Sequence, residues 1–215
     1  MKKGLLSLVA IFSLLLSGCE STYYNAMEKV GIHKRDILID RIEDTQEAQQ
    51  EGQEQFKSAL EQFKSVVNFD GGELEKVYNR LNDEYEASEK AAESIRNHID
   101  DVESVAEALF EEWQDELEQY SSASLRRDSQ KQLNATKRQY QRLLSSMQRA
   151  EKSINPVLTT MKDNVLYLKH NLNARAISSI KGELATINRD VSALLSNMQK
   201  AIDESDVFIR QLRGN

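Results

Sequence analysis

The sequence predicts an all-α protein, an elongated antiparallel bundle or coiled coil of about four long helices. Three observations carry that reading. Apolar residues recur at alternating steps of four and three over most of the chain, the seam of helices packed side by side. One proline stands in 215 residues, against 29% charged and 7% aromatic residues. Sparse Pro and Gly with abundant Glu, Gln, Lys, Arg, Leu and Ala suits long helices, whereas sheets need frequent turn residues and β-branched runs. Finally, acidic and basic residues segregate into consecutive segments, as they would if the chain folded back on itself.

The first long segment carries its seam on Leu38, Ile42, Thr45, Gln49, Gly52, Phe56, Leu60, Phe63 and Val67. Its middle is polar, so the helix is expected to pack less well near Gly52. Phe69-Asp70-Gly71-Gly72-Glu73 ends it: the glycines permit a turn, and Asp70 with Glu73 resembles a capping box opening the next helix. The second seam runs Leu74, Tyr78, Leu81, Tyr85, Ser88, Ala92, Ile95, Ile99, Val102, Ala106, Leu109, Trp113, Leu117, Tyr120. Trp113 is read as core on this seam rather than as a ligand contact.

A turn at Ser121-Ser122-Ala123-Ser124 has neither Gly nor Pro and rests on charge. Nine acids and no Lys or Arg lie between His98 and Glu118, and eight Lys or Arg against two acids lie between Leu125 and Lys152. Folding back near Ser122 would lay the acidic end of one helix along the basic start of the next. The third seam reads Leu125, Ser129, Leu133, Thr136, Tyr140, Leu143, Met147, Ala150, Ile154, Val157, Met161, Val165, Leu168, Leu172, with Pro156 expected to kink or interrupt it near Asn155. The fourth, Ile177, Ile180, Leu184, Ile187, Val191, Leu194, Met198, Ala201, Ser205, Phe208, Leu212, cannot be reached from Leu172 by steps of three or four. That slip coincides with His170-Asn171-Leu172-Asn173, where two asparagines can end one helix and cap another.

The N-terminus is of another kind. Lys2 and Lys3 precede an apolar run from Leu5 to Leu16 of about 12 residues, short of the roughly 18 needed to span a bilayer. That is the form of a secretory signal, to be set apart from the fold. Leu16-Ser17-Gly18-Cys19 resembles the lipobox of bacterial lipoproteins, in which cleavage precedes a cysteine that carries a diacylglycerol. Cys19 is the single cysteine, so no internal disulfide competes for its thiol. Two or more acyl chains anchor a protein stably without a transmembrane helix. The expected organisation is therefore a signal peptide over 1–18, a lipidated N-terminus and tether over 19–34, in which Tyr23 to Val30 can form a short helix, and a bundle over 35–213. Glu20 replaces the aspartate that favours inner-membrane retention, which points to an outer-membrane lipoprotein facing the periplasm, the inner membrane being the alternative.

Chemistry is sparse. The residues three before His33, His98 and His170 are Val30, Ile95 and Tyr167, so the Glu-x-x-His pattern of bundle di-iron sites does not occur. HExxH, paired cysteines, GxSxG, GxGxxG and phosphate-loop motifs do not occur either. No catalytic residue, cofactor or metal ligand is therefore assigned. The net charge is -7, or -9 once Lys2 and Lys3 are removed, which disfavours nucleic acid as a partner. Tyr167, Lys169, His170, Asn171, Asn173 and Arg175 form the densest polar stretch that is not simply charged, and they are the candidate interaction patch. The plainer reading of that stretch is helix-end capping.

The lipobox, the length and the run Val165-Leu166-Tyr167-Leu168-Lys169-His170-Asn171-Leu172-Asn173-Ala174-Arg175-Ala176-Ile177 together resemble an uncharacterised family of bacterial lipoproteins, a domain of unknown function, all-helical. The resemblance covers nearly the whole chain after Cys19 and implies an envelope location and this fold. Some members carry an automatic "DNA repair ATPase" label, which finds neither a phosphate loop nor a basic groove here. The expected function is a structural or protein-interaction module held at the membrane by acylated Cys19, without catalysis, its envelope protein partners unidentified and self-association open. A periplasmic holdase gripping unfolded clients through the polar segment Thr45 to Gly52 is the alternative.

Overall fold

The computed structural model describes residues 33–69, 71, 73–171 and 173–214, together with the helical backbone of Ala174 and Arg175. The expected signal peptide, the lipobox with Cys19, and the short helix over Tyr23 to Val30 lie outside the described residues. Four long helices follow one another: α1 over Lys34–Val67, α2 over Leu74–Glu116, α3 over Ala123–His170 and α4 over Ala174–Arg213. A single 3-10 turn, Leu117–Gln119, closes α2. Each helix packs chiefly on two neighbours, α1 on α2 and α4, α3 on α2 and α4, which is a square antiparallel bundle.

The seams are the core. All nine α1 seam positions from Leu38 to Val67 are buried, including the polar Thr45 and Gln49. On α2 the buried seam runs from Leu81 through Ile95, Ile99 and Val102 to Ala106, with Val77, Val105 and Phe110 added from a flanking stripe. On α3 it runs from Leu133 to Leu168, and on α4 Ile180, Ile187, Val191, Leu194, Met198, Ala201 and Phe208 complete it. Leu125, the first expected seam residue of α3, is instead 58% exposed.

Gly52 corrects the expectation of loose packing. A Cβ built on it would stand 2.8 Å from Ile95 Cδ1 and 3.5 Å from Met198 Cε, so side chains of α2 and α4 pack directly onto the α1 backbone there. Only a residue without a side chain admits that approach. The polar residues around it tie α1 to the bundle. Gln46 Nε2 donates to the Ile202 carbonyl at 3.1 Å and to Asp206 Oδ1 at 2.8 Å, reaching α4. Gln55 Nε2 donates to Glu84 Oε2 at 2.8 Å and the Ser58 hydroxyl to Glu84 Oε1 at 2.8 Å, both reaching α2. Gln46 and Gln55, which flank the seam, are here cross-links between helices.

The connections follow local chemistry. The helix start at Leu74 has Glu73 as its N-cap, with no side-chain cap bond, and the Asp70 expected to open a capping box lies outside the described residues. Gly71, at φ 140°, prolongs the turn in a conformation that a side chain would strain. Ser122 caps α3, its hydroxyl accepting from the Leu125 amide at 3.4 Å. Pro156 does not interrupt α3, which runs unbroken across it. Both Pro156 and Lys152, whose carbonyl loses its intrahelical donor, lie on the exposed side, where water can take that carbonyl. At the α3–α4 break, Asn171 Nδ2 donates back to the Tyr167 carbonyl at 2.9 Å, and Asn173 Oδ1 accepts from the Ala176 amide at 3.2 Å. One asparagine ends α3 and the other starts α4.

Candidate functional site

The antiparallel order sorts the chain's features onto two ends of a rod. α3, at 48 residues, is about 72 Å long at about 1.5 Å per residue. At one end α1 begins, α4 finishes and the α2–α3 hairpin turns. Lys34 Nζ pairs with Glu112 Oε1 at 3.1 Å, with Lys34 buried and Glu112 half-buried. Arg35, Glu112, Trp113, Thr136, Gln211 and Leu212 line one cavity of about 430 Å³ there. Trp113 is half-buried at that cavity, and its indole N–H donates to Ser129 Oγ at 2.8 Å, pinning α2 to α3 where they pass the ends of α1 and α4.

Beyond Trp113 the hairpin projects. Residues 118–128 are all exposed, Tyr120 by 40% and Leu125 by 58%. The charge pairing expected across this hairpin is not there. Arg126, Arg127, Lys131 and Arg138 are exposed, line a groove with Gln130 and Asn134, and make no ion pair among the described residues. The α2–α3 ion pair present is Arg96 with Glu151, at 3.0 Å, far up the bundle. The reason is angular. At about 100° per residue, Arg127, Lys131 and Arg138 lie roughly opposite the core-facing Ser129, Leu133, Thr136 and Tyr140. Their side chains point outward, and only Lys137 leans onto α2, 5.5 Å from the Phe110 ring centre.

The opposite end joins the α1–α2 turn and the α3–α4 break, and here stands the polar patch read from the sequence. Tyr167 is 38% exposed, Lys169, His170 and Asn173 are exposed and Asn171 is half-buried, while the Arg175 side chain lies outside the described residues. Two of the patch residues, Asn171 and Asn173, do serve as caps; Tyr167, Lys169 and His170 do not. Leu166, 49% exposed beside Tyr167, is a member that polarity alone missed. Thr160, Asp163, Asn164, Tyr167, Ser179 and Glu183 line a groove of about 360 Å³ on this flank, with Asn164 Nδ2 donating to the Thr160 carbonyl at 2.7 Å.

The histidines are dispersed: His33 is the N-cap of α1, His98 sits halfway along α2, and His170 closes α3. Among the described residues no group of three or more His, Cys, Asp or Glu is placed to hold a metal ion, and no helix is long and apolar enough to cross a membrane. Two tyrosines are perturbed. Burial, then the carboxylates of Glu103 and Glu107, raises the Tyr140 hydroxyl well above its ordinary value. Burial, then a short hydrogen bond to Glu89, pushes Tyr85 up to about 12. Tyr140 stands between Phe110 and Phe208, ring centres 5.4 and 6.2 Å away, as part of the packing between α2, α3 and α4.

The described residues form an all-helical bundle of four long antiparallel helices. A family model described as a protein of unknown function, DUF2959, matches residues 23–212, and the chain belongs to that family. Neither a curated protein nor a solved structure matches it.

Proposed function

We propose that this is an envelope lipoprotein, anchored to the membrane by acyl chains on Cys19, that works without catalysis by binding other envelope proteins at the end of the bundle far from the anchor. The observation that supports it is the separation of the two ends. The lipobox leads into Lys34, while Leu166, Tyr167, Lys169 and His170 are exposed at the other end of a rod about 70 Å long. Exposed Tyr is among the side chains that dominate protein contacts, and Tyr167 is held here on a helix end fixed by two asparagine caps. The outer membrane, facing the periplasm, is the expected address. The holdase reading loses its motive, because Thr45, Ala48, Gln49 and Gly52 are buried.

A photo-crosslinker placed at Tyr167 tests this in intact cells. Discrete protein adducts are expected, and they should vanish when Cys19→Ser releases the chain from the membrane. Adducts that match those of a probe at mid-bundle Glu93, or that persist unchanged in Cys19→Ser, would overturn the proposal.

A further inference from the structure

We propose that the projecting α2–α3 hairpin is a second membrane contact, in which Arg126, Arg127 and Lys131 meet the phosphates of anionic lipid headgroups and Tyr120 and Leu125 enter the interface. The proposal rests on the anchored reading above and adds to it an orientation for the rod.

The three cations are exposed, have no ion-pair partner among the described residues, and line one groove along α3 with Arg138. Arginine presents a planar fork that fits phosphate oxygens in pairs, and lysine adds a point charge. Tyr120 and Leu125, 40% and 58% exposed, flank Ser122 at the turn itself, and the described body gives them no apolar neighbour surface to cover them. An amphipathic ring and an aliphatic side chain beside cations is the composition of a membrane-interface contact.

Geometry puts the tip within reach. The hairpin turns at the end where α1 begins, since Lys34 pairs with Glu112. Fourteen residues, fifteen chain steps, separate Cys19 from Lys34. At about 3.5 Å per residue at most, that segment keeps this end within roughly 50 Å of the anchor point.

The acids Glu111, Asp115, Glu116 and Glu118 oppose binding, but they stand on α2 and the 3-10 turn that closes it, while on α3 only Asp128 interrupts the cations. The hairpin is therefore polarised from side to side. An anionic surface would draw the α3 side down and turn the α2 side away, fixing the roll of the rod as well as its tilt.

The only tryptophan, Trp113, lies close to the tip and serves as the donor for energy transfer to dansyl-labelled lipid. The purified full protein is mixed with phosphatidylcholine vesicles, with and without phosphatidylglycerol. Protein floating with both kinds of vesicle, with stronger transfer when phosphatidylglycerol is present, is the expected result. Each Lys or Arg near an anionic surface shifts the docked-to-undocked ratio about five-fold. Replacing all three by glutamine (R126Q, R127Q, K131Q) should thus shift it about a hundred-fold and remove the extra transfer, without changing flotation or helicity. Tyr120→Ser with Leu125→Ser should weaken docking further in high salt. Flotation with both vesicles but equal transfer overturns the hairpin proposal and leaves the anchor standing. Flotation only with phosphatidylglycerol overturns the anchor and keeps the hairpin; flotation with neither overturns both.

Discussion

Gly52 offers the sharpest test of how the helices meet. On an exposed helix face Gly→Ala stabilises, by up to about 1 kcal/mol. At Gly52 the new methyl would stand 2.8 Å from Ile95 Cδ1, closer than two carbons pack, and Ile95 is fully buried with no free space to retreat into. Overpacking a filled core costs about 1–3 kcal/mol, so the clash outweighs the propensity gain. Gly52→Ala is expected to destabilise by about 1–2 kcal/mol.

The contact can be isolated, because the offending atom is a single methyl. Ile95→Val removes Cδ1 and by itself should cost about 0.5–1.5 kcal/mol. If the clash is with Cδ1, the double variant fills the space that Val vacates, and its stability returns to within about 1 kcal/mol of wild type. Urea unfolding followed by circular dichroism gives all four corners of the cycle. Additive losses, or a Gly52→Ala protein more stable than wild type, would refute this close approach of α1 and α2.

Two further outcomes follow from buried polar groups. Gln49 is fully buried and its amide nitrogen and oxygen both lack a partner. Gln49→Met keeps the shape, removes that penalty of about 1–3 kcal/mol, and should raise the melting temperature by several degrees; a fall would show that water satisfies the amide in solution. Tyr140 keeps its proton in the folded state at pH values where the unfolded chain, with a hydroxyl near 10.0, has lost it. The folded state then binds more protons, so the stability this contributes is full below pH 10 and declines as pH rises above it. Tyr140→Phe should flatten that decline in urea titrations at increasing pH and remove the latest-ionising tyrosine from the absorbance at 295 nm. An unchanged alkaline slope would refute it.

The long seams were legible because a repeated pattern over dozens of residues averages out local noise. Every α1 seam position chosen by spacing is buried, and the Asn171 and Asn173 caps lie where the seam slipped. What failed was judgement of single positions. Polarity at Thr45, Gln49 and Gly52 looked like weak packing, because sequence does not show whether a polar side chain has a partner. The Thr45 hydroxyl lies 2.7 Å from the Arg41 carbonyl and 3.3 Å from that of His98, and Gly52 lets Ile95 pack where a Cβ would stand. Pro156 sits inside an unbroken helix, because it and Lys152 both lie on the exposed side. The basic stretch of α3 is legible as charge, but the face it takes depends on angle. Its exposure, on which the proposed second membrane contact rests, follows from the same 3.6-residue geometry as the core.

The polar layer has a further consequence for how this fold can work. Bundles built on long repetitive seams tolerate sliding by a whole heptad, because one apolar layer resembles the next. Thr45, Gln49 and Gly52 differ from every other layer of α1, and Gln46 and Gln55 bond to α4 and α2 at fixed heights. A seven-residue slip of α1 would break all of these and drive Thr45 or Ala59 into the space that fits only glycine. Polar residues at single core positions are known to fix register in this way at some cost in stability. The proposed membrane contact at one end and protein contact at the other would need that fixed height, because the distance between the two ends is what such a rod delivers. The stabilising Gln49→Met change should therefore leave the rod more stable but less firmly registered.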